Sequence, residues 1–308
     1  MPSAAAAPSV TRMTDSSVVN ALSPGEPRVG RVAVVTGASR GLGLALARAL
    51  AEDGYSLVVD ARGGAALEAA MAGLPAGSVV RALPGDIADP AHRAALLQAA
   101  GELGGADLLV NNAGTLGASP LPAVADYPLD ILREAFEVNV VAPLALTQLM
   151  LPGLREHGGA VLAVTSDAAV EAYAGWGGYG AAKAALEQAC AVLAAEEVTV
   201  RVWRADPGDL RTDMHQQAFP GEDISDRQPP ESVVPAFRRL IAERMPSGRY
   251  RASELMPATA GPAGSPEPGP AQAGAARSAP AQPGVSGPGW QIAARASDSE
   301  PFPAPWLA

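Results

Sequence analysis

The 308-residue sequence is poor in cysteine, with a single thiol at Cys190, so no disulfide can form within the chain. A lone cysteine is typical of a reducing compartment, and we expect a cytoplasmic protein in which Cys190 is a small buried hydrophobe. No apolar run reaches the length of a membrane span, and no apolar secretory region is found near the N-terminus. Disulfide-stabilised and membrane-spanning folds are therefore not expected.

Positive charge is also scarce. Lys and Arg number 22 against 32 Asp and Glu, a net charge of −10. Binding of phosphate backbones needs clustered cations, so nucleic acid is not an expected partner. Lys183 is the only lysine, since arginine occupies every other cationic position. This exception indicates a site that needs a compact ammonium with three donors instead of a planar guanidinium.

The composition changes near both ends of the chain. Pro, Ala, Gly and Ser dominate residues 255–308, and residues 1–29 are similar. These stretches have little apolar surface to bury, so we expect a disordered N-terminal extension, 1–29, and a disordered tail, 255–308. The rest, 30–254, has the size of a single α/β domain.

Short apolar runs alternate with helical patterns through this domain. Strands are predicted at 31–36, 56–60, 79–83, 106–110, 159–166, 198–203 and 249–251. A long helical segment is predicted at 129–156. Strands that alternate with helices from end to end predict an α/β fold, a Rossmann-type doubly wound parallel sheet of about seven strands with helices on both faces.

A glycine-rich turn, Gly37-Ala-Ser-Arg-Gly-Leu-Gly43, joins the first strand to the first helix. Such a turn lets the backbone approach a pyrophosphate while the helix N-terminus supplies N–H donors. It could also be only a tight strand-to-helix connection.

The second strand ends in Asp60-Ala-Arg62, where a bound adenosine ribose would lie. An acid there accepts from the 2′-hydroxyl of NAD(H), whereas an arginine pairs with the 2′-phosphate of NADP(H). Arg62 and Arg40 together favour a phosphate dianion, so NADP(H) is the preferred cofactor and NAD(H) is possible. Asp60 is interpreted as facing away from the ribose or bracing an arginine.

Polar residues follow two further strands and interrupt the long helix. Asp86-Ile87 suit an adenine, although Asp86 could instead cap the helix that begins at Pro90. The Asn111–Gly114 stretch suits either a ligand-facing backbone or a purely structural turn. Asn139 lies on an apolar helical face and must be hydrogen-bonded, which predicts a backbone kink, a water relay or both.

The stretch from Ser166 to Lys183 carries the candidate chemistry. Ser166 ends the fifth strand, while Tyr179 and Lys183 are four residues apart in an Ala-rich helical pattern, so their side chains share one face. We expect Lys183, with the charge of a nicotinamide, to lower the pKa of the phenol from about 10 to about 7. The segment 213–230 is a candidate lid, and its Met214, His215 and Phe219 could line an apolar pocket with Tyr173 and Trp176 or could simply pack on the surface.

Taken in order, these motifs resemble a classical short-chain dehydrogenase/reductase over about residues 30–254. The resemblance implies an enzyme that reduces a ketone or aldehyde, or oxidises the matching alcohol, on a small-molecule substrate. It assigns as catalytic Asn139, Ser166, Tyr179 and Lys183. It assigns as cofactor-binding Gly37, Ser39, Arg40, Gly41, Leu42, Gly43, Arg62, Asp86, Ile87, Asn112, Ala113, Gly114, Tyr179, Lys183, Pro207, Gly208 and Thr212.

The resemblance also implies roles and an assembly. Tyr179 is the proton donor or acceptor, Ser166 polarises the carbonyl, Lys183 binds the ribose and tunes the phenol, and Asn139 holds a relay water. A homodimer or homotetramer is implied, and no metal. Asp206 departs from the family, which often has Asn before the Pro-Gly pair. A non-catalytic NADP(H)-binding regulator or scaffold on the same fold is the alternative.

Overall fold

The computed structural model describes residues 30–256. The predicted extension 1–29, and all but the first two residues of the predicted tail 255–308, lie outside the described residues. Of those two, Leu255 is buried at the end of a short helix.

Seven parallel strands form one sheet in the order β3-β2-β1-β4-β5-β6-β7. They are β1 (Arg31–Val35), β2 (Tyr55–Ala61), β3 (Val80–Pro84), β4 (Leu108–Asn111), β5 (Ala160–Val164), β6 (Arg201–Asp206) and β7 (Gly248–Arg251). The chain steps from β1 to β3 in one direction and from β4 to β7 in the other. This reversal opens a crevice at the carboxyl ends of β1 and β4, where open α/β sheets bind ligands. The predicted doubly wound fold is confirmed.

Helices cover both faces of the sheet. They are α1 (Gly41–Glu52), α2 (Gly64–Met71), α3 (Pro90–Glu102), α4 (Leu129–Phe136), α5 (Ala142–His157), α6 (Gly177–Glu196), α7 (Asp213–Ala218), α8 (Val234–Ala242) and α9 (Ala252–Leu255). Because side chains alternate along a strand, each buried strand contributes to both faces. Leu46 of α1 and Phe237 of α8 belong to one core layer, and Leu96, Leu146 and Leu186 of α3, α5 and α6 belong to the other.

The predicted helical segment 129–156 is two helices joined by a π-helical turn, Glu137–Val141. Among the described residues, the stretch Leu129–His157 is long and apolar enough to cross a membrane by length and composition alone. Its apolar side is occupied, because Leu146, Met150 and Leu154 are fully buried in the core against the sheet. Burial within the domain thus accounts for part of the hydropathy of this stretch, of whose most apolar window 44% is buried.

The predicted sixth strand, 198–203, is displaced by three residues from β6. α6 continues to Glu196, Val198 is 90% exposed, and pairing with β5 begins only at Arg201. The β-branched run Val198-Thr-Val200 has strand propensity, but the position of a strand depends on its pairing partner. Because β6 extends to Asp206, Pro207 and Gly208 follow directly at the ligand-binding edge.

Candidate active site

Ser166 lies just beyond the carboxyl end of β5, at the start of a short helical turn, Asp167–Ala169. Its hydroxyl accepts a hydrogen bond from the Ala168 N–H at 3.2 Å and donates one to Oδ1 of Asp167 at 2.9 Å. Both contacts come from its own loop, so the loop determines where the hydroxyl points.

α6 brings Tyr179 and Lys183 to the same edge of the sheet. Both side chains are buried, and the Lys183 ammonium lies 5.6 Å from the centre of the Tyr179 ring. The ammonium also donates to the Val164 carbonyl at the end of β5, at 2.9 Å. A Cβ at Gly180 would be 2.5 Å from the Ala168 carbonyl oxygen, so glycine permits the close approach of α6 to the serine loop.

Burial moves the pKa values of both groups towards their neutral forms. The pKa of Tyr179 is raised, first by burial and then by the negative charges of Asp206 and Asp167. Burial lowers the pKa of Lys183 from 10.5 to about 8. The expected lowering of the phenol pKa to about 7 is therefore not a property of the protein alone, because the desolvation of a buried phenol outweighs a cation 5.6 Å from its ring.

Asn139 sits in the π-helical turn and is fully buried. Its amide makes two hydrogen bonds with the backbone of Thr115, accepting from the N–H at 2.9 Å and donating to the carbonyl at 2.8 Å. Gly114 lies beside this pair: a Cβ there would be 3.0 Å from Asn139 Oδ1 and 3.8 Å from Lys183 Nζ. The predicted kink is present as the π-helical turn. Gly114 lies close to both Asn139 and Lys183.

The glycine turn has the shape of a cradle at the crevice. Gly37 and Gly41 have φ values of +69° and +55°, which favour glycine, and α1 begins at Gly41. A Cβ at Gly43 would overlap the Gly37 carbonyl. The Asn112 amide donates to the carbonyls of Thr36 and Gly37 at 2.8 and 3.2 Å. These residues leave the backbone open to a pyrophosphate at a helix N-terminus.

Thr36 connects this turn to the loop after β4. Its hydroxyl donates to the Val110 carbonyl at 3.2 Å and accepts from the N–H groups of Asn112 and Ala113, both at 3.0 Å. Asn111 instead donates to the Thr147 hydroxyl on α5 at 3.0 Å. The two adjacent asparagines thus have different structural roles: Asn112 supports the glycine turn, and Asn111 connects β4 to α5.

Asp60 has a role that the sequence did not indicate. It is buried, and Oδ1 accepts from the Gly37 N–H at 2.7 Å while Oδ2 lies 3.2 Å from Nε2 of His92. The interpretation that it braces an arginine is wrong, because its partners are the glycine turn and a histidine of α3. A Cβ at Gly85 would overlap the His92 ring, so this glycine makes room for the pair.

Asp86 is not the cap of α3. Its Oδ1 accepts from the Ala88 N–H at 2.9 Å, whereas Asp89 caps the helix by accepting from the Ala91 N–H at 2.8 Å. Ile87 is buried, and its carbonyl accepts from Arg93 at 2.6 Å. The helix-cap alternative is therefore excluded, and the adenine contact stays a prediction.

Arg40 and Arg62 are both exposed near the ends of β1 and β2. Arg40 pairs with Asp213 of α7 at 2.7 Å, and both side chains are about two-thirds exposed. Exposed pairs contribute little, so a doubly charged phosphate can replace this carboxylate as a partner.

A buried ionic network lies beneath the serine loop and was missed from sequence. The Arg249 guanidinium of β7 contacts Glu187 at 2.9 Å, Asp206 at 3.2 Å and the Ser166 carbonyl at 3.1 Å. Glu187 also accepts from the Thr165 hydroxyl at 2.7 Å. Asp206, which stands where the resembled family often has Asn, accepts from the Gly208 N–H through Oδ1 at 3.0 Å. This hydrogen bond positions the Pro207-Gly208 segment.

The predicted lid segment contains α7, which is capped by the Thr212 hydroxyl accepting from the His215 N–H at 3.2 Å. An aromatic chain runs from Tyr179 outwards: Trp176 is 5.7 Å from Tyr179 and 6.0 Å from Phe219, between ring centres. Of the predicted apolar pocket residues, Trp176, Met214 and Phe219 pack in one cluster with Tyr179, whereas Tyr173 is exposed.

A surface depression of about 390 Å³ lies nearby, lined by residues that include Val124, Ala168, Val170, Tyr173 and Trp176. None of the four predicted catalytic residues lines it. The depression is therefore separate from the predicted catalytic residues. Within residues 30–256 there is also no cluster of three or more His, Cys, Asp or Glu suited to a metal ion.

An open parallel sheet with a glycine cradle at its crevice, and Ser, Tyr and Lys at the next strand edge, defines a dinucleotide-dependent oxidoreductase. Comparison with known proteins agrees. Residues 31–223 match the family model described as short chain dehydrogenase. The chain therefore belongs to the short-chain dehydrogenase/reductase family.

Individual relatives include an uncharacterized oxidoreductase of Mycobacterium tuberculosis, 34% identical over 68% of this chain and 80% of the relative. The sepiapterin reductase of Meriones unguiculatus is 39% identical over 61% of this chain and 77% of its own length. Among solved structures, an alcohol dehydrogenase of Thermococcus sibiricus complexed with 5-hydroxy-NADP has a TM-score of 0.66 at 28% identity, covering 72% of this chain and 96% of that one.

Proposed function

We propose that this oxidoreductase reduces a ketone or aldehyde with NADPH, with Tyr179 as the proton donor. The observation that carries the proposal is the Tyr179 phenol, which is buried at the ligand-binding edge with the Lys183 ammonium 5.6 Å from the centre of its ring. A protonated phenol at the ligand-binding edge can protonate a carbonyl oxygen as negative charge develops there. The reverse oxidation uses the same groups.

The glycine cradle suits a dinucleotide, because its glycines let the turn pack closely on Asn112 and Ala113 and α1 begins at Gly41, where backbone N–H groups can donate to a pyrophosphate. The residues proposed to hold the cofactor are those of the cradle, the loop after β4, the Pro207-Gly208 segment and Lys183. When bound, NADPH supplies a hydride to the carbonyl carbon. Tyr179 gives its hydroxyl proton to the oxygen, Ser166 donates a hydrogen bond to the same oxygen, and Lys183 binds the ribose.

The preference for NADP(H) rests on Arg40 and Arg62. Both are exposed, and Arg62 directly follows the last residue of β2, where the adenosine ribose would lie. The solved relative with bound 5-hydroxy-NADP supports this preference. The ratio of the dissociation constants for NADPH and NADH measures it directly.

Tyr179→Phe tests the proton donor. The variant should lose carbonyl reduction by a factor of about 10² or more while NADPH binding stays within a few fold, because only the hydroxyl is removed. Assays should use a panel of ketones and aldehydes, with Tyr250→Phe as the control hydroxyl deletion, because within residues 30–256 the Tyr250 hydroxyl donates only to the Pro246 carbonyl. Reduction by Tyr179→Phe at a near wild-type rate would refute the mechanism. Tight NADPH binding by wild-type protein without turnover of any panel member would favour the regulator.

We also infer a homodimer or homotetramer and a cytoplasmic location. Exposed apolar side chains on α5 and α6, among them Leu149 and Val192, support self-association. The single thiol supports a reducing compartment.

A further inference from the structure

One carboxylate at the active-site edge has no part in the proposed roles. Asp167 directly follows Ser166, and its Oδ1 accepts from the Ser166 hydroxyl at 2.9 Å and from the Ala168 N–H at 2.8 Å. Its Oδ2 accepts from the Tyr173 hydroxyl at 3.0 Å. The Ser166 proton is therefore directed to a carboxylate instead of into the crevice.

This contact competes with the proposed function of Ser166. A hydrogen bond to an ionised acceptor is about twice as strong as one to a neutral acceptor such as a ketone oxygen. To receive a hydrogen bond from Ser166, an uncharged ketone must replace Asp167 as the acceptor. A substrate that supplies Asp167 with a replacement donor removes this cost.

The charge of Asp167 indicates what that donor is. Within residues 30–256, Asp167 makes no ion pair, whereas neighbouring Asp206 pairs with Arg249. Asp167 is only half-buried, so its charge is accessible. The pKa of Tyr173 is raised first by burial and next by the hydrogen bond to Asp167 and the charge of that carboxylate. The carboxylates of Glu171 and Asp209 make smaller contributions. The rim around Tyr173 is therefore negative.

Apart from the Lys183 ammonium, 5.6 Å from the ring centre, the side chains that pack near Tyr179 include the apolar Leu116, Trp176 and Phe219. Between apolar walls a charged group orients the ligand, and Asp167 has the sign that attracts a substrate cation. A cation on the substrate has its natural partner at Asp167.

We propose that Asp167 is a specificity-determining residue that selects α-amino ketones in their protonated form, an assignment that rests on the proposed carbonyl reduction. The substrate ammonium donates to Asp167, and the released Ser166 hydroxyl donates to the carbonyl oxygen. A carbonyl oxygen at about 3 Å from Ser166 Oγ lies within about 6 Å of the Asp167 carboxylate, which a group on the neighbouring carbon can reach. Reduction changes only the carbonyl, to a secondary alcohol, and no bond to nitrogen forms or breaks.

Three ketones of nearly equal size test the assignment: aminoacetone, hydroxyacetone and butanone, which differ only in an ammonium, hydroxyl or methyl group. kcat/KM with NADPH should be measured at pH 6.5 for wild type, for Asp167→Asn and for the control Glu171→Gln. Asn keeps an acceptor for Ser166 and Ala168 but removes the charge. Glu171 is an exposed carboxylate four residues further along the same loop.

We expect wild type to prefer aminoacetone over butanone at least tenfold. Asp167→Asn should reduce that ratio at least tenfold without lowering kcat/KM for butanone, and Glu171→Gln should leave the ratio within about twofold. A wild-type preference for butanone or hydroxyacetone would overturn the proposal, as would an unchanged ratio in Asp167→Asn.

Failure of the proposed function has a different signature. If wild type reduces none of the three ketones, nor cyclohexanone or benzaldehyde, carbonyl reduction itself is refuted. Calorimetric titration of the protein with NADP⁺ and either 1-amino-2-propanol or 2-butanol then decides the role of Asp167. Selective binding of the amino alcohol that is lost in Asp167→Asn supports the proposal, and equal or absent binding overturns it.

Discussion

Tyr179 and Lys183 are buried side by side, and burial favours the neutral form of each. For the phenol this weakens the acid, so proton transfer relies on the negative charge that develops on the carbonyl oxygen. For the ammonium it is a cost, which the hydrogen bond to the Val164 carbonyl offsets in part. A guanidinium keeps its proton at any accessible pH, so Arg would carry a permanent charge where Lys183 can approach neutrality.

Replacing Lys183 by Met should therefore stabilise the protein while abolishing carbonyl reduction. The pKa of Lys183 is lowered from 10.5 to about 8, and a shift of that size corresponds to at most about 3 kcal/mol, so we expect a gain of about 1–3 kcal/mol in the free energy of unfolding at pH 7. Met fills a similar volume, although the hydrogen bond to Val164 is lost. Urea denaturation measures the gain.

The pH dependence distinguishes this cause from better packing. Between pH 8 and 10.5 the unfolded chain binds more protons at this lysine than the folded protein does, so wild-type stability rises with pH there. The advantage of Lys183→Met should be complete below pH 8 and disappear by about pH 10.5. Gln188→Met, on the exposed side of α6, should show neither effect. A pH-independent difference, or a less stable variant at pH 7, contradicts the account.

At the scale of elements, Arg249 connects β7 to the ends of β5 and β6 and to α6. Its guanidinium contacts Glu187, Asp206 and the carbonyl of Ser166. Both carboxylates are at least nine-tenths buried, so they depend on this cation. The network holds Ser166 and the Pro207-Gly208 segment in one arrangement.

Arg249→Met should destabilise the protein by about 3–5 kcal/mol, because removal of one partner leaves buried carboxylates uncompensated. We also expect kcat to fall more than NADPH binding, since the Ser166 carbonyl loses its donor. Arg251→Met is the matched control: two residues further along, Arg251 lies 3.9 Å from Glu171 with both side chains about half exposed. Denaturation and steady-state kinetics should show little change in the control, and equal losses in both variants would contradict the role of the network.

Sequence reasoning depends on information that is local. The glycine cradle and the Tyr179–Lys183 pair are recognisable from spacing within one stretch of chain, and Ser166 from its place at the end of a predicted strand; their roles stay predictions. Arg249 and Glu187 are 62 residues apart, and Asp60 and His92 are 32 apart. Such pairs cannot be assigned from one sequence because they depend on the strand order. The predicted start of β6 was displaced for the same reason, because the first residue of β6 is determined by its pairing with β5.

At the scale of the whole molecule, the exposed apolar residues bear on whether the protein self-associates. Val141, Leu149 and Val192 are each 39–46% exposed on the turn before α5, on α5 itself and on α6. α5 and α6 cover the same face of the sheet. An apolar surface of this kind is consistent with the proposed homodimer or homotetramer.

Val192→Glu tests whether this surface forms the interface. A carboxylate buried in an apolar contact lacks a partner, so we expect the mass of the full chain in solution to fall to that of a monomer or of a smaller assembly. Val198→Glu is the control, because Val198 is 90% exposed in the connection between α6 and β6. Light scattering on the two variants and the wild type measures the mass. A monomeric wild type, or an oligomer that survives Val192→Glu unchanged, would show that this face does not mediate assembly, because an apolar interface built on α6 cannot bury an unpaired charge without losing affinity.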